Sequence, residues 1–256
     1  MAEAWIIDAC RTPRGIGKKG KGALADEHPQ HLGAAVLKAL QERVGFDTAD
    51  VDDIVFGTSS QRGPQSGDLA RMAALDAGYD VKASGVTLDR FCGSGITSVN
   101  IAAANIMADV GDVYLVGGVE HLGHLPMMGD VDPNPRMGLN VAKAAGMMGM
   151  TAEYLALLHG IGREDQDKLA LRSHQLAHKA TVEGKFAREI IPIDGHDEDG
   201  ALVSVSADET IRPETTLEGL ASLRPAFNPQ GGTVTAGTSS QISDGASAML
   251  VMSAER

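Results

Sequence analysis

The 256-residue sequence predicts an α/β fold: a layered, mixed but mostly parallel sheet, interrupted by an α-rich insertion. Three observations carry that prediction. Over residues 1–118 short apolar runs alternate with stretches of helical periodicity, the pattern of βαβ units. After Gly118 the alternation stops, and residues 119–241 turn irregular, then helical, then polar. The last run, Ala246-Ser-Ala-Met-Leu-Val-Met-Ser253, reads as a strand again. An inserted domain of residues 119–241 therefore divides an α/β domain made of residues 1–118 and 242–256.

Trp5-Ile-Ile-Asp8 reads as a short buried strand. His31–Val44 carries Leu32, Val36, Leu37, Leu40 and Val44 at helical spacing. Ile54-Val-Phe-Gly57 is a second strand. Asp68–Ala77 is a helix with Asp68 as N-cap and Gly78 as its stop. Gly85–Leu88 is extended and leads into a Gly-Ser-Gly turn, and an Ala-rich helix follows over Ser94–Val110. Val113–Gly118 is another strand. Strands separated by helices predict a sheet buried on both faces. In the insertion, helices are expected over Thr151–His159 and 164–184, and a hairpin around Asp197-Glu-Asp-Gly200. Six of the eleven methionines fall between Met127 and Met150, suiting either plain core or an adaptable apolar groove.

Composition narrows the function classes. A net charge of −12 argues against nucleic acid or an anionic membrane surface as partner. Two cysteines, Cys10 and Cys92, make no disulfide framework, which points to a reducing, cytoplasmic setting. The N-terminus is too acidic for a signal peptide, and no run approaches the ~18 apolar residues of a membrane span.

Cys92 is the candidate centre. A thiol between a strand and a helix start is presented as a serine is on a nucleophile elbow. The amides and partial positive charge of the helix start favour an anion there, and the flanking glycines let another molecule approach the backbone. Spacing alone leaves two readings open, a covalent nucleophile or a buried core cysteine. Cys10, at the end of an apolar strand, reads as structural. Arg11–Gly22 holds five basic residues and nearly matches a phosphate-binding loop. Gly22, however, replaces the required Ser or Thr, so a solvated or partner-contacting loop is the better reading. His121 with His124, and His174 with His178, lack a third ligand; hydrogen-bonded structural roles and a solvated helix face are expected, not metal.

Several runs together resemble the thiolase family, most of all the bacterial degradative 3-ketoacyl-CoA thiolases. They are Asp8-Ala-Cys-Arg-Thr-Pro13, Arg90-Phe-Cys-Gly-Ser-Gly95, Gly117-Gly-Val-Glu-His-Leu-Gly-His124 and Val141-Ala-Lys-Ala-Ala-Gly-Met-Met-Gly-Met-Thr-Ala-Glu153. Ile211–Thr216, Leu223–Phe227, Thr233–Ser240 and Ser243–Ala246 follow in the same order. The resemblance implies a thiolase-like fold, of which this chain carries the N-terminal βαβ half and the inserted loop domain. It implies that Cys92 is the acylated nucleophile and that residues 119–241 bind coenzyme A as a substrate, with no tightly bound cofactor. Arg212 then matches an arginine near the nucleotide end, Ser240 a serine on the pantetheine arm, and Met148 a methionine beside the acyl and pantetheine region. Thr238 stands where some relatives carry Asn. The implied activity is thiolytic cleavage of 3-ketoacyl-CoA in fatty-acid β-oxidation, in a dimer or tetramer or with a partner subunit of a multienzyme complex. The family's second half, with its Asn-Glu-Ala-Phe, Gly-His-Pro and Cys-x-Gly motifs, has no counterpart in the sequence; the single His-Pro pair, His28-Pro29, lies at the wrong end. The chain alone is therefore expected to turn over negligibly. A 3-ketoacyl synthase relative and a non-catalytic coenzyme A-binding or subunit-interaction module are the alternatives.

Overall fold

The computed structural model describes residues 2–127, 131–141 and 147–256. Met128, within the methionine cluster, and residues 142–146 of the 141–153 run lie outside the described residues. The chain forms two compact units. The first comprises Met1–Gly129, Phe186–Thr210 and Ile242–Arg256, and the second Asp130–Lys185 and Ile211–Gln241.

The first unit is built on strands β1 (Ala4–Arg11), β2 (Gly15–Ile16), β3 (Asp53–Gly57), β4 (Ser84–Leu88), β5 (Val113–His121) and β8 (Ser243–Ser253). Their order is β1-β8-β5-β3-β4, with β2 also paired to β8. β3 runs parallel to β4 and β5, whereas β8 is antiparallel to β1, β2 and β5. Only β8 thus runs against the rest, which is the mixed, mostly parallel sheet the sequence predicts.

Alternation along the central strands divides their side chains between two layers. Ile54, Phe56, Leu115 and Leu250 face helices α1 (Pro29–Val44) and α2 (Leu69–Asp76), packing on Leu32, Val36, Leu37, Leu40, Ala70 and Ala73. Val55, Tyr114, Val116 and Val251 face α3 (Ser94–Met107), against Ala102 and Ile106. The predicted caps are present: the Asp68 carboxylate accepts from the Arg71 amide, and Gly78 stops α2 in the left-handed region. Pro29 at the first position lets α1 start two residues before His31, with the His28 ring accepting from the Gln30 amide.

Three expectations change. The first strand is neither short nor buried, since Trp5, Ile6 and Ile7 are 55%, 61% and 43% exposed. β1 is the terminal strand of the sheet, which leaves these three side chains open; the sheet is buried on both faces only at its centre. The helix after Cys92 ends at Met107 rather than Val110. Finally, 119–129 and 186–210 belong to the sheet unit, not to the insertion. Backbone pairing explains the last change. Arg11 N–H bonds the Glu189 carbonyl, Ile191 N–H bonds Arg11, and His196 N–H bonds Ala23 at 2.8, 2.9 and 2.9 Å. The predicted hairpin forms there as β6 (Ile193–His196) and β7 (Leu202–Val205).

The second unit holds α4 (Met148–His159), α5 (Arg163–Val182) and α6 (Leu217–Ala221). Arg163 pairs with Asp167 and donates to the Leu220 and Leu223 carbonyls, tying α5 to α6. The Glu153 carboxylate accepts from the Thr233 and Val234 amides, tying α4 to the segment after α6.

Candidate active site

Cys92 lies in the five-residue passage from β4 to α3. Two side chains shape that passage. Asp89 Oδ1 accepts from the Phe91 amide at 2.7 Å, and Ser94 Oγ accepts from the Arg90 amide at 2.8 Å while donating to the Phe91 carbonyl at 2.7 Å. Phe91 is held at φ 48°, the left-handed region a phenylalanine rarely occupies. Local strain of this kind gathers at functional sites, where surrounding contacts hold it in place. The turn leaves Cys92 exposed, whereas Cys10 is buried. The two cysteines therefore separate as the sequence suggests: Cys10 Sγ donates to the Val36 carbonyl, and burial pushes its thiol up to about 11.

Cys92 opens onto a cavity of about 410 Å³. Its walls come from the C-terminal ends of β3 and β5, the start of α3, the β1–β2 connection and the first residues of β8. Two glycines make the close packing there possible. A Cβ on Gly57 would stand 2.4 Å from Ser94 Cβ, and one on Gly118 would stand 2.3 Å from the Gly57 carbonyl. Both positions thus let α3 begin directly against the strand ends. The first-turn amides of Gly95 and Ile96 have no acceptor within the helix, and Gly95 lines the cavity.

Glu120 faces the cavity from β5 and is held firmly. Its carboxylate accepts from the Ser59 amide at 2.7 Å, Ser59 Oγ at 2.6 Å and Gln65 Nε2 at 3.0 Å. Gln65 is fully buried and also receives the His121 amide at 2.7 Å. Glu120 stands within a run that carries the thiolase resemblance; nothing in the sequence marks Gln65, because an isolated glutamine in a polar loop looks solvated.

His121 and His124 stack with ring centroids 3.9 Å apart. Their Nε2 atoms meet the Leu24 and Ala25 carbonyls at 3.0 and 2.8 Å, so both rings are hydrogen-bonded to backbone, as expected. His121 Nδ1 accepts from the His124 amide and lies 3.5 Å from Asp244 Oδ2. Burial, the largest cause for each, lowers His121 and raises Asp244, so both are pushed toward their uncharged forms where Asp244 lines the cavity. No histidine lines the Cys92 cavity among the described residues.

On the rim, Arg11 and Arg14 both pair with Asp208. Burial alone would raise Asp208; hydrogen bonds from the two arginines outweigh it and hold the carboxyl at about 2.

Met148, Arg212 and Ser240 lie in the second unit, apart in sequence and unit from Cys92. Met148 opens α4 and is 70% exposed. The Arg212 amide donates to His174 Nδ1, and Ser240 Oγ donates to the Gln241 carbonyl. Met127, Met137, Met147 and Met148 are all exposed, so these methionines are not plain core. His178 is exposed on α5. No cluster of three metal-ligating side chains occurs among the described residues. Nor is any described helix long and apolar enough to cross a membrane.

The model of the thiolase N-terminal domain matches residues 4–255. The chain belongs to the thiolase family. It is 54% identical over 254 residues to a 3-ketoacyl-CoA thiolase of Saccharophagus degradans. It also superposes on the crystal structure of the Bacillus anthracis acetyl-CoA acetyltransferase with a TM-score of 0.85 at 35% identity. All but 2% of this thiolase chain is covered by the first match and all of it by the second, yet it spans 64% and 66% of those two proteins. The thiolase match favours that family over the 3-ketoacyl synthase alternative.

Proposed function

We propose that this chain supplies the acyl-accepting half-site of a thiolase-type acyltransferase acting on 3-ketoacyl-CoA. The observation that carries the proposal is an exposed Cys92, presented by a strained turn at a helix start and opening onto a cavity, in a member of the thiolase family. Sγ of Cys92, as thiolate, attacks the 3-keto carbon. The C2–C3 bond then breaks, its electron pair staying on C2, which takes a proton and leaves as acetyl-CoA. The thiol of a second coenzyme A attacks the acyl-cysteine and frees Cys92. Covalent catalysis divides one difficult step into two. Charge developing on the carbonyl oxygen is met by amides at the start of α3, at Cys92 and Gly95; preorganised donors of this kind contribute several kcal/mol.

The cavity contains no imidazole among the described residues to deprotonate Cys92 or protonate the enolate. Among the described residues, the cavity lining therefore offers the nucleophile and oxyanion donors and no imidazole base. Met148, Arg212 and Ser240 are assigned to coenzyme A in the same reading, residue by residue from the family pattern, with coenzyme A as a substrate rather than a resident group. Degradative β-oxidation, a cytoplasmic setting and assembly into a homo-oligomer or with a partner subunit complete the reading. The exposed apolar side chains of β1 and α3 support burial in an interface.

Exchange of labelled coenzyme A into acetyl-CoA tests it, because exchange needs only reversible acylation. Exchange lost in Cys92→Ala is expected, and exchange that persists in Cys92→Ala overturns the assignment. Coenzyme A binding without any exchange, even with a complementary C-terminal fragment present, favours the non-catalytic module.

A further inference from the structure

The segment after Arg14 is a lysine-bearing turn set at the edge of the Cys92 cavity. β2 pairs Gly15 with Asp244 and Ile16 with Ser243, and both partners line that cavity, as does Arg14. The chain then turns tightly. Lys21 N–H returns to the Lys18 carbonyl at 2.9 Å, with Gly20 at φ 64°. Lys18, Lys19 and Lys21 are all exposed on this turn.

The turn is anchored at its stem. Glu209 accepts from the Ile16 amide at 3.1 Å and from the Ala23 amide at 3.0 Å, clasping both ends. A Cβ on Gly22 would stand 2.9 Å from the Ile16 amide, so the two stems are in contact. The nearby carboxylates are already engaged: Asp208 with Arg11 and Arg14, Glu209 with the two amides. No ion pair joins Lys18, Lys19 or Lys21 to a carboxylate among the described residues. Three uncompensated cations therefore sit within a few residues of the cavity rim, on a chain whose net charge is −12.

That net charge repels a polyanionic substrate, and coenzyme A carries a pyrophosphate and a 3′-phosphate. A local patch of opposite sign concentrates such a substrate and raises its encounter rate. We infer that the Lys18–Lys21 turn is an electrostatic guide that draws the phosphate end of coenzyme A thioesters toward the Cys92 cavity. The inference rests on the acyl-CoA reading above and adds to it a cationic element in the first unit, on the basic segment that the sequence reads as a solvated or partner-contacting loop.

The test uses this chain and its variant K18Q/K19Q/K21Q, each with a complementary C-terminal fragment present. Acylation of Cys92 is followed by intact mass with acetoacetyl-CoA and with acetoacetyl-N-acetylcysteamine, which carries the same acyl group but no phosphate. At low ionic strength the variant's second-order rate with the CoA thioester is expected to fall roughly 5–20-fold. The rate with the phosphate-free thioester stays unchanged. At about 0.5 M salt, where screening shortens the reach of charge to a few ångströms, the two proteins converge. An unchanged CoA rate overturns the inference, and so does an equal fall with both thioesters. If neither thioester labels Cys92, the function reading fails on its own account. The lysine turn is then judged by coenzyme A affinity, read calorimetrically: weaker binding in the variant supports it and unchanged binding overturns it.

Discussion

Asp208 joins the β1–β2 connection to the segment that follows β7, and its removal tests the packing of the cavity rim. Its Oδ1 accepts from Arg11 Nη1 at 2.7 Å and the Arg14 amide at 2.9 Å; its Oδ2 accepts from Arg11 Nη2 at 3.1 Å and Arg14 Nη2 at 2.9 Å. The Asp208 side chain is 1% exposed and that of Arg11 20%, whereas that of Arg14 is 50%, so solvent screens the Arg11 contact less than the Arg14 one. The carboxyl is held at about 2 against an ordinary 3.8. A depressed folded-state value means stability that is present above the unfolded value and lost as pH falls toward the folded one. A shift of a little under two units amounts to about 2 kcal/mol at pH 7, of which about half remains at pH 3. Asp208→Asn removes this contribution and leaves two arginines facing an amide. We expect a loss of about 2–4 kcal/mol at pH 7, smaller by about 1 kcal/mol at pH 3. Urea unfolding followed by the fluorescence of Trp5 reads it, because Trp5 is the single tryptophan and shares β1 with Arg11. A loss under about 0.5 kcal/mol at pH 7, or one that does not change with pH, refutes the reasoning.

Other consequences follow from the same geometry. Gly57→Ala forces a Cβ to within 2.4 Å of Ser94; it should cost about 1–3 kcal/mol and slow alkylation of Cys92, and equal stability and reactivity to the parent would contradict the packing described. Gln65→Leu leaves Thr58, Glu120 and the His121 amide without the partner they share; a loss of about 3 kcal/mol in urea unfolding is expected, and a loss below about 1 kcal/mol would show that the network is dispensable. Iodoacetamide at pH 8 should label Cys92 alone, since Cys10 is buried and raised to about 11; peptide mapping that finds Cys10 labelled equally would contradict that contrast.

Much of the first unit was legible because its local signals agree. Asp68 and Gly78 bracket α2 in sequence as they do in space, and Ile54-Val-Phe-Gly57 is continuously apolar because both of its faces are covered. The strand–Cys92–helix arrangement was legible for the same reason. What escaped depends on partners remote in sequence. Trp5-Ile-Ile looks like core, but its placement at the sheet terminus leaves it exposed. The 186–210 segment follows the polar insertion and is only briefly apolar; backbone pairing to Arg11 and Ala23, with Ile191, Ile193 and Val205 buried in the first unit's core, recruits it. The lysine turn reads in sequence as a solvated or partner-contacting loop, and its anchoring escapes notice because Glu209 stands 193 residues away from Ile16. The site residues divide likewise: the placement of Cys92 between strand and helix follows from local chain geometry, whereas its role as nucleophile, like the roles of Met148, Arg212 and Ser240, rests on family resemblance.

The account depends on a sulfur that accepts an acyl group. Incubating the chain, together with a complementary C-terminal fragment, with acetoacetyl-CoA, followed by intact mass and peptide mapping, measures this directly. We predict one acetyl group, carried by the peptide that contains Cys92 and absent in Cys92→Ala. An adduct on another residue, with Cys92 recovered unmodified, would contradict it.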